Sequence, residues 1–184
     1  QIIYAIENTP GITEAKKNQM VAEAKALRGI TMYVFHDLFG TFHVTLDPKE
    51  LDNVSYQERP SEEEYYNWMV KDFTEAIPYL YDMTNGTANW GRINKATAYM
   101  FLSKLAMRKG DYSAAKGYLE SIVKMGCYHL ADDYFVPFSE EGEQDAENIY
   151  CIPSGTKADN EFYFYMTPSN CQAMLNVKKE HTGG

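Results

Sequence analysis

The stretch that decides the fold is residues 94–126, NKATAYMFLSKLAMRKGDYSAAKGYLESIVKMG. Asn94 is of a type that caps helix N-termini, and Gly110 and Gly126 are of the type that follows helix C-termini. Apolar residues recur every three or four positions before Gly110 and again after it, at Ala98, Phe101, Leu102, Leu105, Ala115, Leu119, Ile122 and Val123. Since about two residues join the two segments, they must fold back as an antiparallel helical hairpin.

Large and small side chains alternate in this hairpin as they do in a tetratricopeptide repeat. The large ones are Tyr99, Leu102, Tyr112 and Leu119, and the small ones are Ser103 and Ala115. One such repeat cannot cover its own hydrophobic face, so further helices must stack on it.

The longest helical pattern covers residues 13–39. Thr13 is suited to cap its start, and Gly40 to follow its end. Its apolar stripe, at spacings of three and four, consists of Met20, Ala24, Leu27, Thr31, Val34 and Leu38, and Phe35 and Phe39 widen it. We predict a buried helix whose stripe faces the core.

Another helix is predicted to begin at Ser61, which has capping-box spacing to Glu64. Its stripe is Tyr65, Met69, Phe73, Ala76 and Leu80, and Pro78 should disturb the last turn. Long loops are expected at 41–60 and 85–91, and short extended segments are possible at 149–152 and 162–166. The predicted fold is therefore mostly all-α, with tetratricopeptide-like hairpins and long irregular loops.

Composition excludes several classes of function. The net charge is −9, with 17 basic and 26 acidic residues, so binding to nucleic acid is not expected. The three cysteines, Cys127, Cys151 and Cys171, form neither a disulfide framework nor a metal motif. No apolar run approaches the roughly 20 residues that span a bilayer.

One loop has the chemistry of a sugar-binding site. Asn89, Trp90 and Arg92 combine a flat aromatic face with side chains that bond hydroxyl groups. The alternative is that Trp90 packs beneath the loop and Arg92 pairs with a carboxylate on a helix. Tyr163, Tyr165 and Asn170, in an irregular segment, are further ligand candidates, although a buried strand would explain the two tyrosines equally well.

No segment has the residue types and spacing expected of a catalytic centre, a metal site or a cofactor site. His129 with Asp132 and Asp133 has spacing that suits an exposed turn better than a metal. His36 and Asp37 are neighbours on a helix, where side chains diverge, so they are not expected to form a catalytic dyad.

Four blocks of the sequence, in order, resemble the SusD/RagB family of nutrient-binding outer-membrane lipoproteins of Bacteroidetes. The first block is 23–28, followed by Tyr33 and 38–40, and the second is 59–65, followed by 71–73. The third block is 91–96, and the fourth is 126–130, followed by Tyr134 and Phe138. The resemblance covers about 21–152. It departs after Gly40, where family members usually carry a proline, and is poor after Cys151.

The resemblance implies a non-catalytic protein at the surface of the outer membrane that captures glycans or other nutrients. It also implies delivery to a TonB-dependent transporter of the SusC type. Family members are much longer, so residues 1–184 are expected to be one SusD-like helical domain of a longer protein, attached to the membrane only through a lipid anchor outside these residues. Two alternatives remain, a helical repeat scaffold that binds protein without sugar and a glycan-active enzyme.

Overall fold

The computed structural model describes residues 1–50, 57–139 and 142–152. Its helices there are α1 (Ile2–Asn8), α2 (Glu14–Phe39), α3 (Glu62–Ala76), α4 (Lys95–Arg108) and α5 (Tyr112–Met125). Single 3-10 turns lie at Pro48–Glu50, Ile77–Tyr79 and Val136–Phe138. Within the described residues, β-pairing is limited to one isolated bridge between Tyr81 and Asn94. The predicted all-α class is confirmed.

Gln1–Cys151 forms one compact unit. The prediction that residues 1–184 are a single domain stays a prediction, since residues 153–184 lie outside the described part of the chain. Nowhere in the described ranges is a helix both long enough and apolar enough to cross a bilayer.

Local signals set the helix ends. The Thr13 hydroxyl accepts from the amide of Lys16 (3.4 Å), and the Ser61 hydroxyl accepts from the amide of Glu64 (3.1 Å). Asn94 Oδ1 accepts from the amide of Thr97 (2.9 Å). These three predicted caps are confirmed, as is the end of the α-helical geometry of α3 just before Pro78.

The predicted hairpin is confirmed, because α4 and α5 pack on each other along their lengths. Ala98, Leu102 and Leu105 of α4 are buried, and so are Ala115 and Ile122 of α5. The rest of the predicted α5 stripe was wrong: Val123 is 76% exposed, and Leu119 also lies largely outside the core. Among the described elements, α4 makes the extensive contact with α5, and Val123 lies outside that contact.

The stripe predicted to bury α2 was also wrong, because α2 packs on α3 through a different face. Its buried residues are Ala22, Ala26, Gly29 and Met32. The predicted stripe faces outwards instead, with Leu38 67% and Leu27 51% exposed. Small residues let α3 approach the α2 backbone closely, and this close packing selects the face.

Helix α3 lies at the centre of the core, and its predicted stripe is confirmed. Tyr65, Met69, Phe73, Ala76 and Leu80 are all buried. Phe73 stacks on Phe101 of α4, with ring centroids 5.6 Å apart. The Tyr65 hydroxyl donates to the carbonyl of Met32 on α2 (3.1 Å). This helix therefore joins α2 to the hairpin.

Two short segments differ from expectation. Helix α1 was not predicted from sequence, since its seven residues include no buried side chain. Residues 149–152 are irregular, so no strand forms there, and the possible extended segment at 162–166 lies outside the described residues.

Candidate functional site

The loop that carries Asn89, Trp90 and Arg92 is an ordered series of turns. Its ends are fixed by buried residues, with Thr84 on one side and Ile93 and Asn94 on the other. The Thr87 hydroxyl donates to the carbonyl of Thr84 (2.7 Å), and the Arg92 amide donates to the carbonyl of Asn89 (3.0 Å). Gly91 has a φ of 81°, a conformation that favours glycine.

A later segment of the chain braces this loop. Asn85 Nδ2 donates to the carbonyls of Asp145 (2.8 Å) and Asn148 (2.6 Å). The Gly86 amide donates to Gln144 Oε1 (2.8 Å). Asn94 Nδ2 donates to the carbonyl of Ile149 (2.7 Å). The loop is therefore held in one shape before any ligand arrives, as a binding site requires.

Arg92 pairs with a helix carboxylate, as the alternative interpretation proposed. Its guanidinium donates from Nε and Nη2 to the two carboxylate oxygens of Glu23 on α2, at 3.1 and 2.6 Å. The hydrogen bond to Glu23 raises the pKa of Arg92, burial opposes that rise, and the ring of Tyr81 lies 5.9 Å from the guanidinium carbon. Arg92 thus fastens the loop to α2.

Asn89 and Trp90 lie at the outer edge of the loop. Asn89 and Trp90 are both half-buried. The indole Nε1 of Trp90 is buried and has no hydrogen-bond partner among the described residues. The structure thus brings Asn89, Trp90 and Arg92 together on one loop, whereas Tyr163, Tyr165 and Asn170 lie outside the described residues.

On its other side Arg92 lines a groove between α1 and α2. The groove has a volume of about 870 Å³ and is mostly apolar, lined by side chains that include Ile3, Ile6, Met20, Ala24, Leu27 and Leu46. Glu23 and Arg28 supply charge along one side. An apolar lining suits a hydrophobic segment better than a sugar, so the outer edge of the loop is the better place for a glycan.

A second polar cluster joins the C-terminal half of α2 to α3 and α4. Nε2 of His36 lies 2.7 Å from Oε2 of Glu62. Arg108 donates to Nδ1 of the same imidazole at 2.9 Å. Arg108 also pairs with Asp37. Because Nδ1 accepts a hydrogen bond, Nε2 carries the proton that is donated to Glu62. These side chains are occupied in linking helices to one another.

Residues 1–50, 57–139 and 142–152 contain no group of three or more metal-binding side chains. His129, considered above for a metal, has Nδ1 3.2 Å from the carbonyl of Leu130, a local contact within a turn.

The sequence blocks behind the family resemblance contact one another in the fold. Each of three arginines from these blocks binds a group in another block: Arg28 binds Asp72, Arg59 binds the carbonyl of Phe39, and Arg92 binds Glu23. The Arg28–Asp72 pair is bidentate, at 2.7 and 2.6 Å, with the Asp72 side chain only 5% exposed. The blocks therefore mark the frame that positions the loop.

Comparison with known proteins gives a consistent set of relatives, although no family model matches the sequence. Starch-binding protein SusD of Bacteroides thetaiotaomicron is 24% identical over 158 residues, which are 81% of this chain and 27% of that protein. The structure of surface glycan-binding protein A from Bacteroides fluxus matches with a TM-score of 0.71 and 27% identity, over 80% of this chain and 32% of that one. The chain is similar in sequence and fold to SusD-like proteins.

A further structure of this SusD-like fold includes a ligand. Surface glycan-binding protein A from Bacteroides thetaiotaomicron, in complex with laminarihexaose, matches with a TM-score of 0.62 and 27% identity over 80% of this chain and 31% of its own. The SusD-like chain thus spans about a third or less of the length of the proteins that it matches.

Sequence reasoning missed the partners of the loop. Glu23 is 69 positions from Arg92, and Asn85 is 60 positions from Asp145. The available signal was the order of the family blocks, which placed Glu23 and Arg92 in separate motifs without showing that they meet.

Proposed function

We propose that this SusD-like chain is part of a non-catalytic protein that captures glycans at the cell surface. The observation that carries the proposal is the likeness, in sequence and fold, to proteins named for binding starch and surface glycans. The braced loop supports it, since it holds an amide and an indole ring, both half-buried, on a rigid frame.

Within this loop we assign the sugar contacts to Asn89 and Trp90. An indole ring is suited to stacking on the C–H groups of a pyranose ring, and an amide can donate to and accept from hydroxyls. Both side chains are half-buried and therefore partly accessible. Arg92 is already paired with Glu23, so it acts as a positioning residue. Tyr163, Tyr165 and Asn170 remain sequence-based candidates for the same ligand.

The resemblance to SusD/RagB proteins supports a proposal for the partner and the location. We propose that the whole protein lies at the surface of the outer membrane and passes its glycan to a SusC-like TonB-dependent transporter. We further propose that residues 1–184 form one domain of that longer protein. The helical frame supports these assignments, because capture and transfer require a rigid body that holds loops and can meet a partner.

Affinity electrophoresis against starch, laminarin, xyloglucan and unrelated polysaccharides tests the capture proposal. We expect at least one glycan to retard the protein. Asn89→Ala should weaken that binding by about 2- to 10-fold, the value of one hydrogen bond. Trp90→Ala should weaken it more, because a whole stacking face is lost. Lys116→Ala, an exposed change on α5, is the matched control and should have no effect.

Two outcomes of this experiment have separate meanings. If no glycan binds, capture fails. If a glycan binds and both loop variants bind equally well, capture stands and the loop is not the site.

A protein-binding scaffold without sugar is the second candidate. The mostly apolar groove between α1 and α2 favours it, because such surfaces mark contacts with protein segments. Retention of a protein partner together with indifference to every glycan would favour the scaffold over capture.

A further inference from the structure

A second cleft lies between the turn that joins α1 to α2 and the end of α3. Its volume is about 320 Å³. Sites for small molecules have volumes of roughly 300–1,000 Å³. None of the side chains that line this cleft belongs to the candidate loop. The polar ones come from α1, α2, α3 and the 3-10 turn after α3, and they include Glu7, Lys17, Asn18, Lys25, Glu75 and Tyr79.

Two lysines fix the walls of this cleft. Lys17 Nζ donates to the carbonyl of Glu7 (3.0 Å), which holds the end of α1 against α2. Lys25 Nζ donates to the carboxylate of Glu75 (2.7 Å), which joins α2 to α3. Both lysine side chains are mostly buried. The cleft therefore has its shape before a ligand enters, so binding does not have to order these side chains.

The cleft also has polar groups that other parts of the protein do not use. In the part of the chain that the structure describes, the Glu7 carboxylate, the Asn18 amide and the Tyr79 hydroxyl have no hydrogen-bond partner. Asn18 is half-buried, and Tyr79 is 51% exposed. A carboxylate accepts hydrogen bonds, whereas an amide and a phenol hydroxyl both donate and accept. This bonding capacity lies in the same cleft as an accessible aromatic ring.

The charges along the cleft are close to balance. The lining has three carboxylates (Glu7, Glu14 and Glu75) and two ammonium groups (Lys17 and Lys25). A phosphate group is bound by clustered cations, so this mixture does not favour one. The carboxylates are not grouped as metal ligands either, since the described ranges contain no cluster of three metal-binding side chains. The lining suits a neutral molecule with many hydroxyl groups.

We propose that this cleft binds one pyranose unit of a neutral glycan, as a second site apart from Asn89 and Trp90. The Tyr79 ring stacks on the C–H groups of the sugar, and the Asn18 amide and the Glu7 carboxylate bond its hydroxyls. This assignment rests on the proposed function, because it gives the cleft the same class of ligand as the candidate loop.

Nitrogen-15 NMR titration with maltose, laminaribiose and cellobiose tests the cleft. These neutral disaccharides are the repeating units of starch, of laminarin and of the xyloglucan backbone. We expect at least one of them to cause saturable shifts of the Asn18 side-chain amide and of the Tyr79 backbone amide. The shifts should occur in Trp90→Ala as in the unsubstituted protein, because the two sites are separate.

Substitutions locate the sugar within the cleft. Asn18→Ala should weaken binding there by about 2- to 10-fold, the value of one hydrogen bond. Tyr79→Ala should weaken it more than Tyr79→Phe, because phenylalanine keeps the stacking face. Gln19→Ala is the matched control, since this neighbouring amide of α2 accepts from Lys16 and does not line the cleft, and it should have no effect. The thermal midpoint of each variant checks that it folds.

The outcomes separate this proposal from glycan capture itself. If Asn18 and Tyr79 do not shift while a polysaccharide still retards the protein in electrophoresis, the second site is overturned and capture stands. If every polysaccharide and every disaccharide fails to bind, both are overturned. Tighter binding of glucosamine, which is a cation, than of glucose would overturn the assignment to a neutral sugar.

Discussion

The ring of Phe73 on α3 lies directly against the backbone of Gly29 on α2. A Cβ atom at position 29 would stand 2.8 Å from Cζ of that ring, closer than non-bonded carbon atoms approach. This contact explains why α2 buries small side chains and turns its large ones outwards. It also sets the distance between the two helices that hold Glu23 and the candidate loop in place.

We expect Gly29→Ala to lower the free energy of unfolding by about 1–3 kcal/mol, because the added methyl group overpacks the α2–α3 contact. Urea denaturation measures the change. Gly117→Ala on α5 is the matched control, since a Cβ there meets nothing within 4 Å. That control should raise the free energy of unfolding by about 0.5–1 kcal/mol. Equal effects at the two positions would contradict the packing described.

The buried Arg28–Asp72 pair should be far more sensitive than an exposed pair. Asp72→Ala leaves a partly buried guanidinium without its carboxylate, and we expect a loss of about 3 kcal/mol in the free energy of unfolding. Asp82→Ala breaks the Lys95–Asp82 pair, whose carboxylate is 73% exposed, and should cost less than about 1 kcal/mol. Chemical denaturation of both variants measures whether Asp72→Ala loses more free energy of unfolding than Asp82→Ala. Equal losses would contradict the prediction.

Asn94→Asp should loosen the brace of the loop while keeping the cap of α4. The carboxylate can still accept from the Thr97 amide, but it has no N–H to donate to the carbonyl of Ile149. We expect faster hydrogen exchange in 142–150 and unchanged protection within α4, with a stability loss of about 1–3 kcal/mol. Asn89→Asp makes the same change on a half-buried side chain and should cost about 1 kcal/mol or less, with exchange in 142–150 unchanged. Unchanged exchange in 142–150 would show that Asn94 does not brace the loop.

Stability should fall at alkaline pH because of Tyr65. Burial raises its pKa from an ordinary value of 10 to about 12. The folded state therefore holds the phenol proton more tightly than the unfolded state, so this contribution is present below pH 10 and is lost as pH rises towards 12. Tyr65→Phe should flatten that part of the stability curve, although burial also raises the pKa of Tyr128, whose contribution remains. A curve of unchanged slope would contradict the assignment.

Sequence predicted those features that depend on neighbouring residues. The caps at Thr13, Ser61 and Asn94 depend on residues three positions away, and the α3 stripe was correct because α3 has one dominant apolar face. Helix α2 has two such faces, and only its close contact with Phe73 selects between them. A residue pattern contains no information about which face a distant helix approaches closely.

The candidate loop was predictable in part for the same reason. The residue types of Asn89 and Trp90 pointed to a sugar site, and both side chains are half-buried, which leaves them partly accessible to a ligand. The structural role of Arg92 depends on Glu23, which is distant in sequence, so sequence could offer that role only as an alternative.

Calorimetric titration of the protein with the glycan selected by electrophoresis, followed by chromatography of the recovered glycan, tests non-catalytic capture most directly. We expect saturable binding that is weakened by Trp90→Ala, with the glycan recovered at its original length. Absence of binding to every glycan, or recovery of shorter products, would contradict it.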